Sequence, residues 1–339
     1  MDWMVYGATG FTGKKIIGRA VELGLRPVVA GRSVAKVRKL GETYHLPTRS
    51  FDASTPDLRG MGLVLNCAGP FSSTAEPIYD TCLKLGIHYL DITGEISVFE
   101  NIYRRHTEAV RAGSVIIPGV GFDVVPTDCL SVLLHRKLPD ATHLEIAIDA
   151  PGPVSPGTVK TMVENLPHGT KERRHGEIVN LPHAASYKRI AFKNHSRWAV
   201  SIPWGDIASA YRSTGIANIK VYFGVPRKMI LGMIALRPLF PILSLTVIQR
   251  ALVRYIEKNI PGGTSEQMKK NNISIWGIVK NSSKQSEELT WELRDPYLFT
   301  VESALRAVEK VRAGAIRPGC WTPGLAFGPE FLDEVLTHL

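Results

Sequence analysis

Short apolar runs of strand length alternate with stretches of helical spacing through the first 138 residues. Trp3–Tyr6, Pro27–Ala30, Thr48–Phe51, Gly62–Cys67, the run that ends at Asp91, and Val115–Pro118 read as strands. Between them, apolar residues recur every three to four positions over Lys14–Leu23, Val34–Tyr44, Ala75–Leu85 and Val98–Ala112, as on one face of a helix. Gly62–Cys67 is almost continuously apolar, which suits a parallel strand buried on both faces. Alternation of this kind predicts an α/β fold with a Rossmann-type doubly wound parallel sheet over residues 1–138.

Beyond Leu138 the rhythm changes. Leu144–Ile148, Ile190–Phe192, Ala199–Ile202, Ile219–Phe223, Ile273–Val279 and Leu289–Leu293 are strand-like without regular helices between them. A second, α+β domain with a mostly antiparallel sheet is expected over residues 139–300, for substrate binding or dimerisation. A helix over Val301–Ala313 and the tail from Gly319 should return to the first domain. Met229–Ile248 is the most apolar stretch, broken at its centre by Arg237, Pro238 and Pro241. Two helical turns, a kink and a second helix through Lys258 are expected. This insert, 229–258, suits a buried helical pair, a homodimer contact or a lipid-facing hairpin; a spanning helix is the poorest fit to so broken a run.

The first strand runs into a turn with Gly7, Gly10 and Gly13, and a helix follows. In such a turn one glycine permits the bend, one lets backbone approach a pyrophosphate, and one lets helix pack closely on strand. The helix N-terminus adds N–H groups and partial positive charge. Gly7, Thr9, Gly10, Phe11, Thr12 and Gly13 are therefore dinucleotide-binding candidates. The next strand ends in Gly31-Arg32-Ser33, where an arginine and a hydroxyl suit a 2′-phosphate better than a free ribose hydroxyl. NADP(H) is the expected cofactor. Asp52 closes the third strand and either faces the adenine or holds a turn. Ala68-Gly69-Pro70-Phe71 follows the fourth strand, where small residues leave room for the nicotinamide.

Charge and cysteines narrow the reading further. The net charge is +10, and residues 160–258 hold 16 Lys/Arg against 5 Asp/Glu. Such a basic middle is either a solvated face or a surface for an anionic membrane, an acidic carrier protein or a phosphorylated substrate. No pattern of a nucleic-acid-binding fold accompanies it. Cys67, Cys82, Cys129 and Cys320 are widely spaced, so neither a disulfide framework nor a zinc site is expected. Without HExxH or clustered histidines, no catalytic metal is expected either. The chain opens directly on a strand with no basic–apolar leader, and a cytoplasmic location, or one peripheral to a membrane, follows as the expectation.

The motifs GATGFTG, AGRS, CAGPF, HYLDITGE and GVGFDVVPTD, in this order, resemble those of the saccharopine dehydrogenase-like NADP-binding oxidoreductases. GPVSPGT, DPYLFT and WTPGLAFG extend the resemblance over nearly the whole chain. It is strongest to the branch containing the trans-acting enoyl reductases of polyketide lipid biosynthesis. The resemblance implies a second sheet that covers the nicotinamide, and a hydrophobic or carrier-bound acyl substrate.

A nicotinamide enzyme needs a proton donor more than a nucleophile. Tyr89, Asp91, Glu95, Asp123 and Asp128 fall at strand ends. Glu95 and Asp123 are the catalytic candidates, and Tyr89 and Thr158 the substrate candidates. Caps and turns are the ordinary roles of the same residue types. Three functions stay open: reduction of an enoyl C=C bond, reduction of a C=N bond, and non-catalytic nucleotide binding at a membrane.

Overall fold

The computed structural model describes residues 1–151, 169–240, 245, 248, 251, 254 and 272–339. These divide into two compact units. The first comprises Met1–Leu133, Ala208–Thr214 and Tyr297–Leu339; the second comprises Leu134–Ile207 and Gly215–Pro296.

The first unit is built on β1 (Trp3–Tyr6), β2 (Val28–Gly31), β3 (Thr48–Ser50), β4 (Leu63–Asn66), β5 (His88–Asp91) and β6 (Val115–Ile117). With the short β15 (Gly319–Cys320), they form one sheet in the order β15-β6-β5-β4-β1-β2-β3, every pair parallel. All four residues of β1 and all four of β4 are buried, as the unbroken apolar runs require. Five helices lie between these strands: α1 (Phe11–Glu22), α2 (Val34–Tyr44), α3 (Phe71–Leu85), α4 (Ile96–Arg104) and α5 (His106–Ala112). α1 buries Gly13, Ile16, Ile17 and Ala20, a single stripe at helical spacing. Each fully buried isoleucine stabilises the unit by about 1.5–3 kcal/mol. Chain order reverses between β1 and β4, and an open α/β sheet binds its ligands outside the strand ends at such a switch point.

Three helix boundaries differ from expectation. α1 begins at Phe11 and α3 at Phe71, each about a turn earlier than the apolar spacing suggests, because their first turns bury little. The stretch expected as one helix over Val98–Ala112 is two, α4 and α5, parted at Arg105. Arg105 fits that junction because its guanidinium reaches Asp80 at 3.0 Å and Glu108 at 2.6 Å. The GVGFDVVPTD run is a loop only up to Val124, and α6 (Val125–Lys137) starts within it.

The second unit carries an eight-stranded sheet. Its strands are β7 (His143–Asp149), β8 (Thr170–Arg174), β9 (Glu177–Leu181), β10 (Tyr187–Ala191), β11 (Ser196–Ser201), β12 (Asn218–Gly224), β13 (Asn272–Lys280) and β14 (Ser286–Arg294). The main path is β10-β11-β12-β7-β13-β14, antiparallel except where β12 runs parallel to β7. The sheet is thus mixed. β8 and β9 are absent from the sequence expectation because TKERR is mostly charged. Their signal is His175-Gly176, a two-residue turn with φ of 51° and 84°, the hairpin geometry that favours glycine. One helix was not expected between these strands in sequence, α7 (Asp206–Thr214), most of which belongs to the first unit; α8 (Arg227–Ala235) supplies the helical turns expected there. α8 falls in the first part of the apolar insert, and most of 241–258 lies outside the described residues.

Candidate functional site

The turn after β1 is tightly closed. Gly7 has φ +77°, a left-handed conformation that an L side chain resists. Its carbonyl accepts the Gly10 N–H at 3.0 Å, and the Gly10 carbonyl accepts the Lys14 N–H at 3.0 Å, which starts α1. A Cβ on Gly7 would lie 2.6 Å from the Ala68 nitrogen, and one on Gly13 would lie 2.4 Å from the Gly7 oxygen. Gly10 is more open, with 3.2 Å to the same oxygen. Because α1 starts at Phe11, the amides of Phe11, Thr12 and Gly13 form its first turn and have no intrahelical acceptor. That turn holds no acidic residue. Thr9 sits at the bend beside the end of β2, and the exposed Phe11 ring meets Tyr297 edge-on with centroids 5.1 Å apart.

β2 ends at Gly31, and exposed Arg32 follows. Ser33 is the N-cap of α2, yet its side chain makes no capping bond. Asp52 accepts the Ser54 N–H at 3.0 Å and the Ser54 hydroxyl at 2.8 Å. Those bonds, with a smaller contribution from Arg32, hold its carboxyl below the ordinary range.

At the far side of the switch point, one buried network ties the turns after β4, β5 and β6 together. Asn66 ends β4; its Oδ1 accepts the Ala68 N–H at 2.9 Å and its Nδ2 donates to the Tyr89 hydroxyl at 3.2 Å. Tyr89 in β5 donates to Asp91 Oδ2 at 2.9 Å. Asp91 Oδ1 accepts the N–H groups of Thr93 at 3.0 Å and Gly119 at 2.9 Å. Asn66, Tyr89, Asp91 and Thr93 are all fully buried. Burial pushes the Asp91 carboxyl up to about 6 despite its donors.

Glu95 begins α4, but its side chain turns away from that helix. Its two oxygens accept the N–H groups of Phe71 at 2.7 Å and Ser72 at 2.8 Å, the first residues of α3. A carboxylate at that position is favoured by the helix dipole and fixes the Ala68-Gly69-Pro70-Phe71 turn from one side. Gly69 and Pro70 remain exposed. Asp123 follows β6, and its carboxylate packs beside Gly94, where a Cβ would sit 3.3 Å from Oδ2. Burial raises the Asp123 carboxyl to about 6. Asp128 is held differently: it accepts from the Ser213 hydroxyl and, at 2.6 Å, from the Gly324 N–H, so it joins α6 to two later segments of the same unit.

The first unit therefore places the glycine turn, Ala68–Phe71, Glu95 and Asp123 on the same rim of its sheet, at the carboxyl ends of parallel strands. Tyr89 lies beneath that rim with both of its hydroxyl's hydrogen-bond partners inside the protein. Thr158 lies outside the described residues. Asn66 and Thr93 escape sequence reasoning; the available signal for Asn66 was a lone amide closing an otherwise apolar strand. The four cysteines are free thiols, and no metal-binding group of side chains occurs among the described residues.

Comparison with known proteins places this geometry. Residues 3–117 match the family model described as the saccharopine dehydrogenase NADP binding domain. Over 158 residues the chain is 32% identical to a saccharopine dehydrogenase-like oxidoreductase of Arabidopsis thaliana, covering 40% of this chain and 35% of that protein. Over 210 residues it is 30% identical to the trans-acting enoyl reductase of Mycobacterium tuberculosis, covering 56% and 50%. These matches span about a third to a half of the relatives' own lengths. The apo saccharopine dehydrogenase (L-Glu forming) of Saccharomyces cerevisiae has the same fold, with a TM-score of 0.67, 12% identity and coverage of 100% and 96%. Residues 3–117, the segment similar to the saccharopine dehydrogenase NADP binding domain, enclose the glycine turn, Arg32 and most of the buried network.

Proposed function

We propose that the chain is an NADPH-dependent reductase that acts on the activated C=C bond of an enoyl thioester with a hydrophobic or polyketide-like acyl chain, delivered on an acidic carrier. The observation that carries the reading is the junction of the β4, β5 and β6 turns, with a protonatable Asp123 on the rim that the glycine turn shares. The residues suit the cofactor: Gly7 and Gly13 have no room for a Cβ, and no acid opposes a pyrophosphate in the first turn of α1. The α1 amides would hold the pyrophosphate, Arg32 and Ser33 the 2′-phosphate, and Ala68–Phe71 the nicotinamide side. Asp52 would border the adenosine.

When bound, NADPH supplies a hydride. The protein's own contributions are position and a proton. Glu95 keeps the Gly69–Phe71 turn rigid through two backbone N–H groups, and is a positioning residue in this scheme. Asp123, with its carboxyl raised to about 6, retains a proton closer to neutrality than an exposed aspartate does, and would deliver it to the substrate's α-carbon. Tyr89 would support the site from beneath through Asp91, with no direct contact to substrate.

Reduction of a C=N bond is the second reading, favoured by the fold shared with the yeast saccharopine dehydrogenase. A screen separates the two. NADPH oxidation is measured with 2-enoyl thioesters of increasing chain length and with mixtures of amines and 2-oxo acids. Turnover is expected with the thioesters. Turnover confined to the amine mixtures would overturn the first reading in favour of the second.

A further inference from the structure

α8 packs on the second sheet through Ile230, Met233 and Ile234, against Ala184, Val200 and Val225. A helix seated on a protein in this way normally turns a polar face to water. Here, beyond Arg227 and Lys228 at the start of the helix, the outward residues are apolar. Met229, Leu231, Leu236 and Leu239 are 55%, 51%, 46% and 47% exposed, on α8 and the 3-10 turn Arg237–Leu239 that follows it. At 100° per residue, Leu231 and Ala235 fall on the side of α8 away from Ile230 and Met233, and exposed Leu236 and Leu239 follow in the turn beyond the helix.

This apolar face is held in place. The Arg237 guanidinium donates to the carbonyls of His183 at 2.8 Å and Ala184 at 2.7 Å, and the Phe240 ring lies 4.1 Å from that of His183. The backbone carrying Leu236 and Leu239 is thus pinned to the preceding loop, and the leucines point outward from a fixed base. At the start of α8, Arg227 and Lys228 are exposed, with the Arg227 guanidinium 5.2 Å from the Trp198 ring. The surrounding sequence is one-sided in charge: from Ile207 to Ile256 there is no Asp or Glu, and there are seven Lys/Arg.

We infer that this face docks on an anionic lipid surface, with α8 lying in the plane of the bilayer interface. An apolar face flanked by cations matches such a surface in both hydrophobicity and charge. A second copy of the chain would bring like charge against like, since the net charge is +10. Spanning is excluded for this element: α8 has nine residues, and no helix among the described residues is long and apolar enough to cross a membrane. The inference goes beyond the proposed reduction and stands whichever acceptor the enzyme uses.

The test is flotation of the full chain with vesicles of phosphatidylcholine, with and without about 30% phosphatidylglycerol. Binding to the anionic vesicles only is expected, weakening as salt rises. The double variant Leu236→Glu, Leu239→Glu should bind about tenfold or more weakly. Leu85→Glu, an exposed leucine on α3, should bind as the wild type does. NADPH binding by each variant reports that the fold is kept. Absence of binding to anionic vesicles, or equal binding by the double variant, overturns the inference. So does a concentration-dependent dimer that the double variant abolishes, because the face would then be a contact between copies.

Discussion

Gly7→Ala is expected to damage the fold itself, whereas Gly10→Ala, three residues on, should damage only cofactor binding. At Gly7 the new Cβ would meet three backbone atoms of the Cys67–Ala68 turn at 2.6–2.9 Å, and backbone has no rotamer by which to withdraw. Its φ of +77° adds the strain of a left-handed alanine. Overpacking and backbone strain together suggest a loss of about 3 kcal/mol. The site is placed to pass that loss on, because Gly7 is where the β1 and β4 turns touch. At Gly10 the nearest atom is the Gly7 oxygen at 3.2 Å, and the residue is otherwise exposed. Its methyl would stand in the approach of the pyrophosphate and leave the fold nearly intact. Denaturant unfolding together with NADPH titration resolves the two: a shifted midpoint for Gly7→Ala, and an unchanged midpoint with weakened binding for Gly10→Ala. Equal stability of both variants would show that the turn is not closed as described.

The second large effect is at Asp91. Asp91→Ala removes the acceptor for two backbone N–H groups and the Tyr89 hydroxyl, all buried. Each unsatisfied donor costs about 1–3 kcal/mol, so with three donors a loss of at least about 3 kcal/mol is expected. Asp91→Asn should cost less, about 1–2 kcal/mol. Its oxygen can replace Oδ1 for Thr93 and Gly119, but its amide cannot accept from Tyr89. The pH dependence separates the two forms of this residue further. A carboxyl at about 6 in the folded protein, against an ordinary value of 3.8, binds its proton more tightly when folded. The stability it gives is therefore present below about pH 4 and is lost as pH rises to 6. Acidification from pH 7 to 5 should return about 1 kcal/mol through this group. Asp123 and Asp128, also raised to about 6, add contributions of the same sign. Unfolding of wild type and Asp91→Asn at the two pH values checks this: the gain on acidification should be smaller in the variant.

What the sequence could reveal depended on the range of the interaction concerned. Strand–helix alternation, the 7-10-13 glycine spacing and Arg32 after β2 are local, and they mark the parallel sheet and its nucleotide turn. Arg105, at the break between α4 and α5, bonds Asp80 25 residues away, and no periodicity within the two helices records that contact. Glu95 is similar. Its position suggests a cap for its own helix, whereas its partners are Phe71 and Ser72 of another helix. Asn66 was hidden in an apolar run, and its bond to Tyr89 exists only because β4 lies beside β5. Charged β8 failed the apolar criterion, since its strand character is set by pairing with β9 and β12 rather than by side-chain burial alone.

The most direct test of the central claim is calorimetric titration of NADPH and of NADH into the wild-type chain and Arg32→Ala. Charge-assisted bonds from Arg32 to a 2′-phosphate would contribute about 1.5–3 kcal/mol, so the wild type should bind NADPH roughly ten- to a hundredfold more tightly than NADH. In Arg32→Ala the NADPH affinity should fall to about that of NADH, with NADH itself little changed. Equal affinity of the wild type for the two nucleotides, or a preference for NADPH that survives in Arg32→Ala, would contradict the account.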